Sequence, residues 1–326
     1  VAICEDERNG NWWMGLSHGH WGQKLHFSKD KGANWIEVAT PKYPEGSEIK
    51  PDKPAKLNLM WAMQGGGNDK ADTLFVGTEP GGLFRSNDYG ESWNLCESLW
   101  NDPDRQEHWF GGGFDNPAIH SIEVDPRNSD HLYIGISCGG VYESIDGGNH
   151  WTVRNSGLVS NFLPDQTARV GHDPHLLKLS PSNPEVLWQQ AHCGIWRSSD
   201  AARSWNEVTG DNDYANFGFT ICIDPKDENR AWVIPAISDE IRVAVEDSLC
   251  VSRTDDGGET WTDYRNGLPQ ETTTDIVYRH AMDRMNETVV FGTTTGNVFY
   301  SIDDGENWQV LNNYLPMVNV VKLLEE

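Results

Sequence analysis

Hydrophobic and polar positions alternate along this 326-residue chain in short runs, and the runs recur at regular intervals. Period-two alternation over four to seven residues reads as a half-buried β-strand, and the Gly, Pro, Asn and Asp clusters between runs read as turns. The clearest group is Ile119–Val124, the turn Asp-Pro-Arg-Asn, His131–Ile136 and then Val141–Glu143. Leu176–Leu179, Val186–Gln189 and Ile195–Arg197 repeat it, as do Thr220–Ile223, Ala231–Ile234 and Cys250–Arg253. Further third runs stand at Lys24–Phe27, Gly82–Arg85 and Val298–Tyr300. No run approaches the about 18 apolar residues of a membrane-spanning helix, so no membrane insertion is expected.

Every third run ends in the same eight-residue pattern, Ser/Thr-x-Asp-x-Gly-x-x-Trp. It starts at Ser28, Ser86, Ser144, Ser198, Thr254 and Ser301, with spacings of 58, 58, 54, 56 and 47 residues. The Asp residues are Asp30, Asp88, Asp146, Asp200, Asp256 and Asp303; the fourth copy has Ala202 in place of Gly. An Asp carboxylate can accept N–H bonds inside a tight turn. Gly takes a backbone angle that a Cβ penalises, and Trp supplies an apolar plug between neighbouring elements. Ala202 is therefore expected to strain the fourth turn or change its type. A short strand after each Trp completes four strands per repeat.

The pattern predicts an all-β fold, a β-propeller with Asp-box (BNR) repeats in one domain, 1–326. Six complete blades are expected at about 1–40, 57–97, 118–156, 174–209, 218–265 and 275–312. Residues 317–324 read as the lone inner strand of a seventh blade, matching Val1–Cys4 in blade one. A segment before Val1 is expected to supply its other three strands; the alternative is a six-bladed ring with the tail packed aside.

Composition then narrows the partners. Fifty acidic and 25 basic residues give a net charge of −25. A nucleic-acid partner needs a basic stripe, so none is expected, and docking on anionic lipid is disfavoured. Fifteen Trp and 32 Gly suit many short strands packed on aromatic rings. The six Cys form no CxxC and read as reduced thiols; with the resemblance below they point to a cytoplasmic protein. The sequence names no oligomeric state.

The repeats resemble those of BNR/Asp-box proteins: sialidases, oligoxyloglucan hydrolases, sortilin-type receptors and a photosystem assembly factor. Stretches along the whole chain resemble a bacterial group labelled "BNR/WD40-like glycosyl hydrolase" or "exo-α-sialidase". They are HGHWGQKLHFS (18–28), GGLFRSNDYGESW (81–93), WFGGGFDNPAIHSIEVDPRN (109–128), SCGGVYES (137–144), DPHLLKLSP (173–181), HCGIWRSSD (192–200), VYRHAMD (277–283) and FGTTTG (291–296). The resemblance implies a propeller that acts on or binds carbohydrate.

Propeller topology sorts the polar residues by face. The boxes join strands three and four and lie opposite the loops that join strands two and three and the loops between blades. Those opposite loops carry His18, His20, Trp21, Glu79, Cys138, His192, Cys193 and Asp239, then Trp109, Asp115, His172, Asp173 and Phe217. His120, His175, Arg279 and His280 open inner strands beside the channel. A central funnel lined by these groups is the expected ligand site.

Three readings of that funnel follow. In glycoside hydrolysis two carboxylates flank a sugar bond; Asp115 and Asp173 are the best-placed pair, with Glu79 and Asp239 behind them. His175 and Arg279 join the catalytic set. His18, His20, Trp21, Trp109, His120, His192 and His280 line the ligand, with Trp21 and Trp109 stacking on sugar. A sialidase needs three clustered Arg, and no such triad is visible. In the second reading His120, His175 and His192 hold a divalent metal, Zn or another, in a hydrolase or lyase. No other cofactor is called for. In the third the chain is a non-catalytic binding or assembly scaffold. Asx turns suit Asp115 and Asp173 equally, a lid suits Trp21 and Trp109, and buried structure suits Cys138 and Cys193. The 242–247 stretch reads as a solvated insertion.

Overall fold

The computed structural model describes residues 2–6, 8–209 and 214–324, so Val1 of the expected first strand lies outside the described residues. The fold is all-β, a six-blade β-propeller arrangement of four-stranded antiparallel sheets with strands in sequence order. The chain divides into two compact units. One comprises Val1–Asn155 and Leu163–Pro174, the other Ser156–Phe162 and His175–Glu326.

The first unit carries blades 1 to 3, with inner strands Ala2–Asp6, Leu59–Gly65 and Ala118–Val124. The second carries blades 4 to 6, whose inner strands are Pro174–Leu179, Gly218–Asp224 and Met282–Met285. The second strands Leu74–Glu79, Leu132–Ser137 and Leu187–Ala191 are buried along their whole length. Near-continuous apolar runs there reflect burial on both faces. The fourth strands are short and mostly exposed, as outer strands of a blade should be.

The sequence pattern did not predict the hairpin Glu48–Lys50 and Lys53–Pro54, nor the helices Glu97–Trp100 and Pro103–His108. Both helices are under two turns long, too short for a periodic signal. Arg105 of the second is buried, with its guanidinium 3.7 Å from the Trp100 ring centroid.

The repeated turns are built alike. Ser86 Oγ donates to Asp88 Oδ1 (2.7 Å) and accepts the Gly90 N–H (2.8 Å), while Asp88 Oδ1 accepts the Ser92 N–H (2.9 Å). The Trp93 indole N–H donates to the Ala39 carbonyl of the preceding blade (3.0 Å), and Trp261 does the same to Val208 (2.8 Å). The fourth turn keeps this geometry: Ala202 N–H donates to Ser198 Oγ (2.9 Å) at φ 59°. The missing Gly therefore leaves the turn type unchanged and places an alanine in the left-handed region.

Among the described residues the tail makes one isolated bridge, His280 with Val320, and no continuous strand. Yet Val318 sits against Gly292, whose added Cβ would meet Val318 Cγ1 at 2.3 Å. Ile119, on the inner strand of blade 3, meets Gly77 of blade 2 in the same way. The tail therefore lies on blade 6 where an inner strand would follow it.

Ion pairs gather at the turn end. Arg284 reaches Asp224 (3.0 Å) and Asp304 (2.8 Å), with its side chain 5% exposed. His131 stands between Asp125 (3.2 Å) and Glu143 (2.8 Å), and Arg154 also pairs with Glu143. Burial works against ionisation of Glu143, but the bonds from His131 and Arg154 outweigh it and bring its pKa down to about 2.

Candidate functional site

At the opposite end of the blades one inner-strand position recurs. The register in blade 2 runs from Met60–Thr78 to Ala62–Gly77, stepping over Trp61. In blade 3 it runs from Ile119–Ile136 to Ser121–Gly135, stepping over His120. In blade 5 it shifts between Gly218 and Ile221, across Phe219. Such bulges re-aim a side chain that a regular ladder would point elsewhere. The ladder residues Met63, Ile122, Ile221 and Met282 pair with Val76, Ile134, Val233 and Phe291. Two residues before them stand Trp61, His120, Phe219 and His280. In blade 4 the corner bond Ser180 N–H to Val186 O matches Asp125 N–H to His131 O of blade 3, each 2.9 Å. His175 precedes that corner as His120 precedes its own, so it holds the same position.

In the first unit Trp61 is edge-on to Phe114 (centroids 4.9 Å apart) and to His120 (5.6 Å). Phe114 is exposed, Trp61 half-buried and His120 buried, with its Nδ1 2.9 Å from Ser121 Oγ. Asp115 is exposed beside Phe114. Asp173 is buried; its Oδ1 accepts Ser137 Oγ–H (2.9 Å) and Cys138 N–H (3.1 Å). Glu79 is buried and accepts Asn116 Nδ2–H at 2.5 Å. His172 is buried against the Ala168 carbonyl (2.6 Å), and burial holds its pKa below the usual imidazole range.

In the second unit His175 stacks on Phe219, with centroids 4.8 Å apart and planes 16° apart. His175 Nδ1 donates to the Gly218 carbonyl (2.6 Å) in the tautomer that bond requires. His192 lies edge-on to His175 (5.7 Å), Phe162 (4.9 Å) and Phe217 (5.8 Å), and 3.7 Å from Asp239. Tyr278 meets the edge of Phe219 at 5.3 Å. The guanidiniums of Arg242 and Arg279 each stand 5.5 Å from the Phe219 centroid. His280 is half-buried, and its carbonyl accepts Val321 N–H (2.8 Å).

Several expected residues fall elsewhere. Trp109 is not a stacking surface: it is 1% exposed, inside the core of the first unit, and donates to Tyr142 Oη at 2.8 Å. Its aromatic bulk fills space under the Gly81 and Gly139 turns. Trp21 is 69% exposed at the tip of blade 1, edge-on to His20 (4.6 Å). His18 serves that turn, with Nδ1 accepting the N–H groups of His20 and Trp21, each at 3.1 Å. Arg85, Arg197 and Arg253 bond at the turn end, to Asn87, Asn229 and Asp255.

The 242–247 stretch is more than a solvated insertion. Ala236 bridges Ala244, Ile237 N–H donates to Val243 O, and the turn between them folds Arg242 over Phe219. The Cys96, Cys222 and Cys250 thiols are raised by burial to about 11, 12 and 12, which keeps them protonated.

Sequence reasoning missed Trp61, Phe114, Phe162, Phe219, Tyr278 and Arg242. A signal existed for Phe219: it stands 12 residues before Ala231 in its second strand, as His120 stands before Leu132. Phe114, Phe162 and Arg242 lie in loops of unequal length, where the repeat gives no register.

No family model matches the chain. A xyloglucanase of Paenibacillus sp is 26% identical over 256 residues, which are 67% of this chain and 23% of that protein. An oligoxyloglucan-reducing end-specific xyloglucanase of Emericella nidulans is 25% identical over 63% of this chain and 24% of its own length. The chain thus spans about a quarter of the length of these curated relatives. Among solved structures, an ancestral GH74 enzyme superposes with a TM-score of 0.65 at 14% identity, covering 95% of this chain and 37% of that one. YCF48 bound to D1 peptide superposes at 0.58 and 16% identity, covering 95% and 81%. These likenesses define the class of fold, a β-propeller of the kind seen in GH74 enzymes and in YCF48.

Proposed function

We propose that this chain is a carbohydrate-active propeller that binds an oligosaccharide at the loop ends of its blades. One observation carries the reading. An aromatic ring or an imidazole stands at one inner-strand position in five successive blades, Trp61, His120, His175, Phe219 and His280; bulges mark it in blades 2, 3 and 5, and Trp61 and His280 are its partly exposed members. Sugar rings pack against aromatic faces and hydrogen-bond to imidazole and carboxylate edges. The xyloglucanase relatives support this chemistry. Sialidase activity has no support from side-chain geometry, since three of the arginines bond at the turn end.

For hydrolysis, Asp115 and Asp173 are the proposed carboxylates. Asp173, fixed by Ser137 and Cys138, is the one proposed to activate water. Asp115, in the open loop beside Phe114, is the proton donor to the leaving oxygen. The test is turnover of a xyloglucan oligosaccharide panel by wild type, Asp115→Asn and Asp173→Asn. Loss of at least 100-fold in kcat/KM for both variants is expected; activity that survives both removes the carboxylate mechanism.

One observation favours a second reading. Ring nitrogens of His175 and His192 lie within 4.8 Å of each other, close enough for both to reach one divalent ion. Equilibrium dialysis of the purified protein against Zn(II), compared with His192→Ala, separates the two. Stoichiometric binding lost in the variant supports a metal at that pair, and no binding removes it.

A further inference from the structure

We propose that the face of blade 6 turned away from blade 5, with the tail lying along it, is a docking surface. Its occupant is a partner segment that carries strands two to four of a further Asp-box repeat. The proposal does not depend on the carbohydrate reading.

Within each unit, successive blades close on one another by the same contacts. The box Gly of a blade lies on the blade before it: an added Cβ would stand 2.6 Å from Trp13 at Gly90 and 2.6 Å from Val208 at Gly258. The box Trp donates its indole N–H to a carbonyl of the blade before, Trp93 to Ala39 and Trp261 to Val208. The residue that precedes the box Ser or Thr reaches forward to the next blade. Arg85 Nη1 donates to the Gly147 carbonyl and Arg253 Nη1 to the Asp304 carbonyl, each at 3.1 Å. The residue three places after the box Trp thereby packs against a core, as Val38, Cys96 and Val208 do.

Blade 6 presents the same surface without that cover. Three places after Trp308 stands Leu311, 64% exposed, beside Val310 at 53%. Leu315 and Met317 of the tail are exposed as well. Where Arg85 and Arg253 reach forward, blade 6 has Tyr300, whose hydroxyl turns back to Gln309 of its own blade (2.8 Å). Apolar surface at a position that blades 1, 2 and 4 pack against a neighbour marks a place for a partner.

The tail supplies a first strand for that partner. Val318 sits on Gly292 as Ile119 of blade 3 sits on Gly77 of blade 2. Val321 N–H donates to the His280 carbonyl (2.8 Å) and Leu323 N–H to Asp283 Oδ2 (2.7 Å). Successive residues of an extended chain turn their backbone groups to opposite edges. Val320 and Lys322 therefore offer theirs on the edge away from blade 6. Such an edge is a template for strand addition, and in every blade the first strand pairs with a second strand. These contacts specify the occupant. A strand fills the open edge, a box Gly covers Leu311, and a box indole N–H meets the carbonyl of Leu311 or Asn312.

The experiment is fluorescence anisotropy with a labelled synthetic peptide of residues 73–95, which holds strands two to four and the box of blade 2. The proteins are wild type, Leu311→Asp, and Ile145→Asp at an exposed turn of blade 3 as control. Both substituted side chains are exposed, so the melting temperature should not change. Wild type should bind one peptide per chain at micromolar affinity, with slower hydrogen exchange at 318–323. Leu311→Asp should weaken binding at least tenfold, as should Trp93→Ala in the peptide, and Ile145→Asp should change nothing. Absence of saturable binding, or binding that Leu311→Asp and the Trp93→Ala peptide leave intact, overturns the proposal. A dimer in light scattering that Leu311→Asp splits also overturns it, since the face then belongs to a second copy.

Discussion

The two ends of each blade are made by different means. At the turn end, eight consecutive residues close the structure through their own hydrogen bonds, and the same bonds appear in blade after blade. At the loop end the blades share an imidazole in three cases, His120, His175 and His280, and otherwise carry different side chains. Phe219 is surrounded by His175, Phe217, Tyr278, Arg242 and Arg279, drawn from three blades. Order at the turn end is local and redundant. Order at the loop end depends on the blades being in place. A fold of this kind can therefore vary its ligand without risking its frame.

Breaking the frame should have the largest effect. Arg284→Met leaves buried Asp224 with only the longer Arg230 pair at 3.6 Å, and the loss should approach the about 3 kcal/mol that removing one partner of a buried ion pair costs. Urea denaturation should show that loss.

Acid acts on the same end. Asp88 and Asp146 are held near a pKa of about 2, chiefly by bonds from Ser92 and His150, as is Glu143 within its His131–Arg154 network. Their folded pKa values lie below the unfolded values of about 4. Their contribution is therefore complete above about pH 4 and is lost as pH falls toward 2. The denaturation midpoint should drop over that window and stay level from pH 5 to 7 as far as these groups decide it.

Trp61→Ala sharpens the contrast from the other end. Loss of an aromatic anchor of this size should weaken oligosaccharide binding by roughly 2 kcal/mol, about 30-fold. Calorimetry with the xyloglucan heptasaccharide measures this, and a melting temperature lowered without loss of affinity would place Trp61 in the frame instead.

Smaller effects belong to single turns. Ser86→Ala removes a buried hydroxyl that donates to Asp88 and accepts from Gly90, at a cost of about 1–2 kcal/mol. Ala202→Gly should instead stabilise by about 1 kcal/mol, since the alanine sits at φ 59° where glycine meets no penalty.

The same division decided what could be read from sequence. Six boxes gave the blade count and the orientation of every loop, because a local motif carries its structure with it. His120, His175 and His280 were placed at inner-strand starts for the same reason. Trp109 was misplaced: a tryptophan in a Gly-rich loop looks exposed until the Tyr142 hydroxyl that holds it inward is known. Arg242 was missed because its position depends on the Ala236–Ala244 bridge closing a loop that no other blade shares. The C-terminal strand was legible as a position and not as a strand, since it forms a single bridge.

Hydrogen–deuterium exchange with and without saturating xyloglucan heptasaccharide compares the two ends in one measurement. Protection is expected in segments 59–62, 114–120 and 172–174 of the first unit, with the turns at 86–93, 144–151 and 254–261 unchanged. Protection confined to those turns, or none at any segment under conditions where the sugar binds, would contradict a loop-end site.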